Sequence, residues 1–173
     1  MDAATFWKTV VMDRTGFLDR LIALLNQHAI RFCVVGGQAV NAYAEPVVSL
    51  DLDLAVAVEQ MGKLRSILEK EFQLKSFEHS LNVSAPQSDL RVQIQTDPRY
   101  GGFVDRAEER TIVGLRLPVA RIEDVLQGKI WAVQDRARRS SKRQKDLADI
   151  SRLLEASPDL RKLIPEEILS RLF

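Results

Sequence analysis

Asp51 and Asp53 stand two residues apart in SLDLDLAVAV, a segment that otherwise alternates larger apolar side chains with small ones. On an extended strand, residues i and i+2 project from one face, about 6.6 Å apart at ~3.3 Å of rise per residue. Leu52, Leu54, Val56 and Val58 then point one way, and Asp51, Asp53, Ala55 and Ala57 the other. Two carboxylates so placed can share a divalent cation. Magnesium prefers oxygen ligands and is usually held by one or two carboxylates plus substrate phosphates, so the pair suits a metal–nucleotide complex better than a closed cage. A solvated strand face is the plain alternative, although acidic residues are disfavoured in strands.

Gly36 and Gly37 close the apolar run IRFCVV just ahead of the short helical stretch QAVNAYA. Glycines between a strand and a helix let backbone N–H groups approach a phosphate and set a helix N-terminus against its charge; a simple tight turn would use the same pair. Neither G-x-G-x-x-G nor G-x-x-x-x-G-K-[ST] occurs, which excludes the dinucleotide fingerprint and the P-loop. Farther along, Lys129, Ala132 and Arg136 share a helical stripe at i, i+3 and i+7. A cation there can reach phosphates from the rim of a cleft, or snorkel from a half-buried helix. In KRQKDLADI, Lys145 and Asp149 make an i, i+4 pair in the weaker, cation-first order, whereas Asp146 shares a stripe with Ile150 and Leu153 and sits at the edge of buried surface. Arg136, Arg138, Arg139, Lys142, Arg143 and Lys145 crowd into residues 136–145, the one strongly basic patch. It reads either as a solvated helix connection or as an anchor for RNA or nucleotide phosphates.

These side chains need a frame. GFLDRLIALLNQ has helical spacing and predicts a helix over about 14–28 covering one face of a sheet. IRFCVV predicts a buried strand, SLDLDLAVAV a second, and DLRVQIQTD a third with Leu90, Val92 and Ile94 on its apolar face; MGKLRSILEKEF is a helix, and TIVGLRLPVA a last short strand. Residues 78–89 and 97–110 read as loops. From Ile122 the chain turns helical: IEDVLQGKIWAVQDRA, then a helix with Ser141 as N-cap in a capping box with Gln144, then two short pieces opened by Pro158 and Pro165. The expected fold is α/β (α+β), a mixed sheet flanked by helices over 1–120 with a helical extension over 121–173 packed on it.

Bulk composition is permissive. The chain has 173 residues, 46% hydrophobic and 28% charged, with 25 Lys+Arg against 24 Asp+Glu, the profile of a globular protein whose net charge selects no partner. No apolar run reaches membrane-spanning length and the start lacks a leader pattern, so the expectation is a cytoplasmic protein with no membrane partner. Cys33 is read as a buried thiol, and His28 and His79 lack neighbours at zinc-ligand spacing.

With GG, S-x-D-x-D, K-x-x-A-x-x-x-R and KD-x-x-D in that order over about residues 32–154, the chain resembles a nucleotidyltransferase of the DNA polymerase beta superfamily. More narrowly, it resembles the AbiEii-type group found as toxins of bacterial toxin–antitoxin systems. The resemblance implies that Gly36 and Gly37 contact a nucleoside triphosphate, that Asp51 and Asp53 bind Mg²⁺, and that Lys129 contacts phosphates. It maps the fourth motif onto Lys145, Asp146 and Asp149, with Asp146 among the catalytic groups and Lys145 among the nucleotide contacts. It further implies transfer of a nucleoside monophosphate to an RNA, protein or small-molecule hydroxyl, and an antitoxin protein as a partner. The sequence departs from the pattern twice. Val47 stands where an arginine usually precedes the metal aspartates, and LRVQIQ offers Gln93 and Gln95 where a third carboxylate belongs, leaving Asp97 or Asp89 to replace it. The alternative is a catalytically weak or inactive member that binds nucleotide or RNA without turnover.

Overall fold

The computed structural model describes residues 1–173. Its strands are β1 (Phe32–Val35), β2 (Asp51–Val56), β3 (Gln73–Ser76), β4 (Ser80–Ser84), β5 (Arg91–Gln95), β6 (Glu108–Ile112) and β7 (Leu115–Val119), forming one sheet in the order β3-β4-β5-β2-β1-β7-β6. The helices are α1 (Ala3–Val10), α2 (Phe17–Gln27), α3 (Gly36–Asn41), α4 (Met61–Leu68), α5 (Gly101–Arg106), α6 (Ile122–Gln134), α7 (Ser140–Ala156) and α8 (Glu166–Leu169). β1 runs antiparallel to β2, while β1–β7 and β2–β5 are parallel, which gives the mixed α/β architecture expected.

The central strands hold the candidate site residues on one side because their larger apolar side chains bury on the other. All four residues of β1 are buried, as a strand covered on both faces requires. In β2, Leu52 and Leu54 are fully buried on one face while Asp51 and Asp53 remain half-buried on the other. Helix α2 buries Phe17, Leu18, Leu21 and Leu25. It starts at Phe17 rather than at residue 14, because the Asp13 carboxylate accepts from the Phe17 and Leu18 amides and fixes the first turn there. Helices α6 and α7 pack on each other and on α3, and the Tyr43 hydroxyl donates to the Ala120 carbonyl at 2.8 Å.

Several elements differ from the sequence reading. Residues 78–89 are loop only in part: Ser80–Ser84 form β4, which pairs with β5 and with β3, a short exposed strand with little apolar signal. Residues 97–110 hold a 3-10 turn (Pro98–Tyr100), α5 and most of β6. TIVGLRLPVA is not one strand but the heart of the β6–β7 hairpin, turned by Val113 and Gly114 at φ +47° and +79°. Helix α7 begins at Ser140 with Arg139 as its cap and no side-chain capping bond, so the Ser141–Gln144 box does not form. Helix α1 was unread in the sequence; Asp2 caps it and Trp7 anchors it. No helix is long and apolar enough to cross a membrane.

Candidate active site

One cleft of about 650 Å³ opens over the edge formed by β1, β2, β5 and α6. That is ample for a small-molecule ligand. Gly36, Gly37, Asp51, Asp53, Lys129 and Lys145 all line it, as do Gln93, Gln95, Asp97, Arg138 and Lys142. Five stretches distant in sequence therefore meet in one hollow.

At the floor, β1 ends and turns into α3 at Gly36, whose φ of +68° is the left-handed region that glycine enters without steric cost. A Cβ at Gly36 would overlap Asp53 Oδ2 and come within 2.9 Å of its Cγ, so the backbone lies directly against this carboxylate. Gly37 meets nothing within 4 Å, which leaves cleft volume free above the turn. The strand bearing the aspartates is tied at its entry. Ser49 Oγ accepts from the Asp51 amide, and the Ser49 carbonyl accepts from Trp7 Nε1 at 2.9 Å and from Gln38 Nε2 at 3.3 Å. Asn41 pins Val47 through both backbone polar groups, and Arg152 of α7 reaches Asn41 Oδ1 at 2.7 Å and the Glu45 carbonyl at 2.6 Å.

The two aspartates differ. Asp51 Oδ1 is 2.7 Å from Nε of the exposed Arg91, its partner in the β2–β5 register. Asp53 makes no ion pair; burial pushes its carboxyl up to about 6, with Lys129 opposing and Asp51 adding to the shift. A desolvated carboxylate without a partner, beside a second held only by a solvent-exposed arginine, fits a hard divalent cation. No group of three or more His, Cys, Asp or Glu side chains converges anywhere in the chain. Such a cation would therefore rely on substrate oxygens to complete its shell.

Lys129 is buried beneath the wall, 2.7 Å from Asp149 Oδ2 and 3.0 Å from Asp146 Oδ1. Burial pulls its ammonium down, but Asp149 and Asp146 together outweigh that and leave it above its ordinary value. Asp146 also takes Arg138 Nε at 2.6 Å, and Asp149 takes Arg152 Nη1 at 2.8 Å. Asp146 and Asp149 are thus enclosed by cations and lie outside the cleft lining. Lys145, exposed, faces the cleft instead of pairing with Asp149. Helix α6 ends at Gln134, so Arg136 leaves the stripe it was expected to share with Lys129, and Arg138 is the arginine that reaches the site. Within the basic patch, only Arg138, Lys142 and Lys145 line the cleft.

At the position of the third carboxylate, register places Arg91 beside Asp51 and Gln93 beside Asp53. Gln93 Nε2 donates to Ser80 Oγ at 3.0 Å. Asp89 lies before β5, exposed and away from the cleft, so it does not take that place. Asp97 does line the cleft, but it caps the 3-10 turn and binds the Arg99 side chain at 2.8 and 3.0 Å; hydrogen bonds from Arg99 hold its carboxyl below the usual range. The sequence reading gave no site role to His79, Ser80, Arg91, Arg99, Tyr100 or Trp131. Strand register brings in Arg91 and the β3–β4 hairpin His79 and Ser80, while Arg99 and Tyr100 come from the 3-10 turn and Trp131 from α6.

In fold, the chain is similar to the antibiotic-resistance factor ANT(2'')-Ia in solution, with a TM-score of 0.64, 13% identity, and coverage of 93% of this chain and 94% of that one. The lincomycin-bound lincosamide adenylyltransferase LnuA gives 0.54 and 11%, covering 80% and 97%. An antigenic nucleotidyltransferase-like protein from Paracoccidioides brasiliensis gives 0.50 and 19%, covering 86% and 75%. Among curated protein sequences none matches. A family-wide sequence pattern does match, over residues 16–173: that of the nucleotidyl transferase AbiEii toxin of type IV toxin–antitoxin systems. The span takes in every residue that lines the cleft, and the chain belongs to this nucleotidyltransferase family.

Proposed function

We propose that the cleft transfers a nucleoside monophosphate from a Mg²⁺-bound nucleoside triphosphate to an acceptor hydroxyl, with release of pyrophosphate. The observation that carries this reading is Gly36 pressed against the unpaired Asp53, with Asp51 on the same strand face. Asp51 and Asp53 would hold the cation, which when bound neutralises charge on the transferring phosphate. Gly36 and Gly37 leave the backbone close to the triphosphate and free of side-chain bulk. Lys145, Lys142 and Arg138 offer cations along the cleft, and Lys129 supplies fixed positive potential beneath it. Asp146 and Asp149 act as positioning residues, orienting Lys129 and Arg138 rather than touching substrate.

RNA is the acceptor class we favour, because Arg138, Lys142 and Lys145 present the basic patch directly at the cleft. Family membership makes an antitoxin protein the expected partner. A second reading, nucleotide or RNA binding with little turnover, is favoured by Gln93 and Arg91 on the strand face where a third carboxylate would stand.

One experiment tests both. Each labelled NTP is supplied with Mg²⁺, with and without total bacterial RNA, to the native protein and to an Asp51→Asn, Asp53→Asn double variant. Label transfer in the native protein, reduced about a thousandfold or more in the variant, is the expected result. Metal-dependent NTP binding without transfer supports the second reading. Equal activity in both proteins would sink the assignment of the aspartates.

A further inference from the structure

The cleft has an aromatic wall that phosphoryl transfer leaves unused. Tyr100 closes the 3-10 turn, Phe103 follows in α5, and Trp131 comes from α6. Phe103 and Trp131 are parallel to within 5° with centroids 5.8 Å apart, and Tyr100 meets them edge-on at 5.2 and 5.5 Å. The Arg99 guanidinium lies over the Trp131 ring, 4.4 Å from its centroid, and the Asp97 carboxylate holds it there. All of these residues line the cleft.

Packing of α5 on β1 and β2 accounts for Phe103, which is buried. It does not account for the rest. Trp131 and Tyr100 stay half-open to the cleft, and Arg99 is half-exposed yet ion-paired into a fixed plane above an indole. Gly128 sits in the middle of α6, a position that disfavours glycine, and a Cβ there would be in ordinary contact with Tyr100 Cε1 at 3.4 Å and its hydroxyl at 3.5 Å, so the phenol lies close against the α6 backbone. That hydroxyl has no hydrogen-bond partner in the chain; burial first, then the charge of Asp53, pushes it up to about 12, so it remains a donor near the carboxylate pair.

Indole faces and guanidinium planes both stack on nucleobases, and neither discriminates strongly among them. We propose that Arg99 and Trp131 form a stacking subsite for a nucleobase, with the Tyr100 hydroxyl as a hydrogen-bond donor to the same ligand. This rests on the nucleotidyltransferase reading of the cleft. The base could belong to the incoming NTP or to the terminal nucleotide of an RNA acceptor.

The chain has two tryptophans, Trp7 and Trp131, and Trp7 is buried in α1. Indole emission is followed in the native protein, with a Trp131→Phe variant identifying which part of the signal is Trp131's. Mg²⁺ with each NTP, Mg²⁺ with inorganic tripolyphosphate, and a short single-stranded RNA are titrated in turn, while equilibrium dialysis of labelled NTP reports binding independently. Quenching by NTP but not by tripolyphosphate supports the subsite and assigns it to the incoming base. Quenching by the RNA alone supports it and assigns it to the acceptor. In either case Arg99→Ala, at an exposed position that does not threaten the fold, should weaken the quenching ligand about tenfold to a hundredfold. Bound NTP and RNA with no change in Trp131 emission, and affinities unmoved by Arg99→Ala, overturn the subsite and leave the metal–nucleotide reading standing. Failure of dialysis to detect any NTP overturns that reading, and with it the incoming-base assignment.

Discussion

Two pairs of aspartates stand in or beside the cleft, and their surroundings are opposite. Asp146 and Asp149 on α7 are buried and enclosed by Lys129, Arg138 and Arg152, so their charge is spent inside the structure. Asp51 and Asp53 on β2 face the cleft, with only the exposed Arg91 on one of them and nothing on the other. Identical side chains thus do different work. A paired buried carboxylate fixes geometry, whereas an unpaired one stores an unfavourable charge that an arriving cation relieves. The helix pair aims cations; the strand pair, on the proposed reading, would receive one.

The widest break in that comparison is Lys129→Met. It leaves Asp146 and Asp149 buried without the cation they share, and breaking such a network typically costs about 3–5 kcal/mol. Denaturant unfolding should register the loss. The strand pair should do the reverse, since Asp51→Asn, Asp53→Asn removes charges that no buried partner needs. Equal destabilisation by the two variants would erase the distinction. Gly36→Ala comes next. It places an L-residue at φ +68° and drives a methyl into Asp53, so about 2–3 kcal/mol of stability and most of the transfer activity should go together. Gly37→Ala, which meets nothing, should keep stability and lower activity alone, if the space above it is where the triphosphate sits.

The strand pair was legible in the sequence and the helix pair only partly. Strict alternation in SLDLDLAVAV reports its own period, so β2 and the shared face of Asp51 and Asp53 follow from local pattern alone. The periodicity of IEDVLQGKIWAVQ and KDLADI likewise announces α6 and α7 and the buried side of Asp146. What encloses Asp146 did not show. Arg138 reaches it only because α6 stops at Gln134 and the chain doubles back, and helix ends are the least determined part of a pattern. Arg91 opposite Asp51 is a fact of strand register, which is set by the whole sheet. Strand β3 and the β6–β7 hairpin were missed because edge strands carry charged residues that blunt the apolar signal: QLKS and EERTI hardly alternate.

Acidity sharpens the contrast further. The Asp53 carboxyl is raised to about 6 from an ordinary 3.8, so it binds a proton more tightly folded than unfolded. Its contribution to stability is full below about 3.8, is lost as pH rises to about 6, and stays lost above. Asn has no such titration. The stability of Asp53→Asn relative to the native protein, without metal, should therefore grow between pH 4 and 6 by on the order of 1–3 kcal/mol, then level off. Thermal melts across that range check it. A gap constant with pH would mean that Asp53 is not desolvated as the cleft geometry requires.

The smallest expected effect on stability is the most informative about the strand pair. Arg91 is mostly exposed, so its ion pair with Asp51 is weakened by solvent and salt, and Arg91→Gln should change stability by no more than about 1 kcal/mol. Its effect on Mg²⁺ should be larger in relative terms. Arg91 lies on one Asp51 oxygen, and a divalent ion bound at Asp51 would compete with it for the carboxylate. If this competition is the main role of Arg91, Arg91→Gln tightens Mg²⁺ binding several-fold, with the gain shrinking as ionic strength rises, because salt already weakens the native pair. Weaker Mg²⁺ binding in the variant would reverse the argument: Arg91 would then be orienting Asp51 for the metal, and the strand pair would be preorganised by a cation much as the helix pair is.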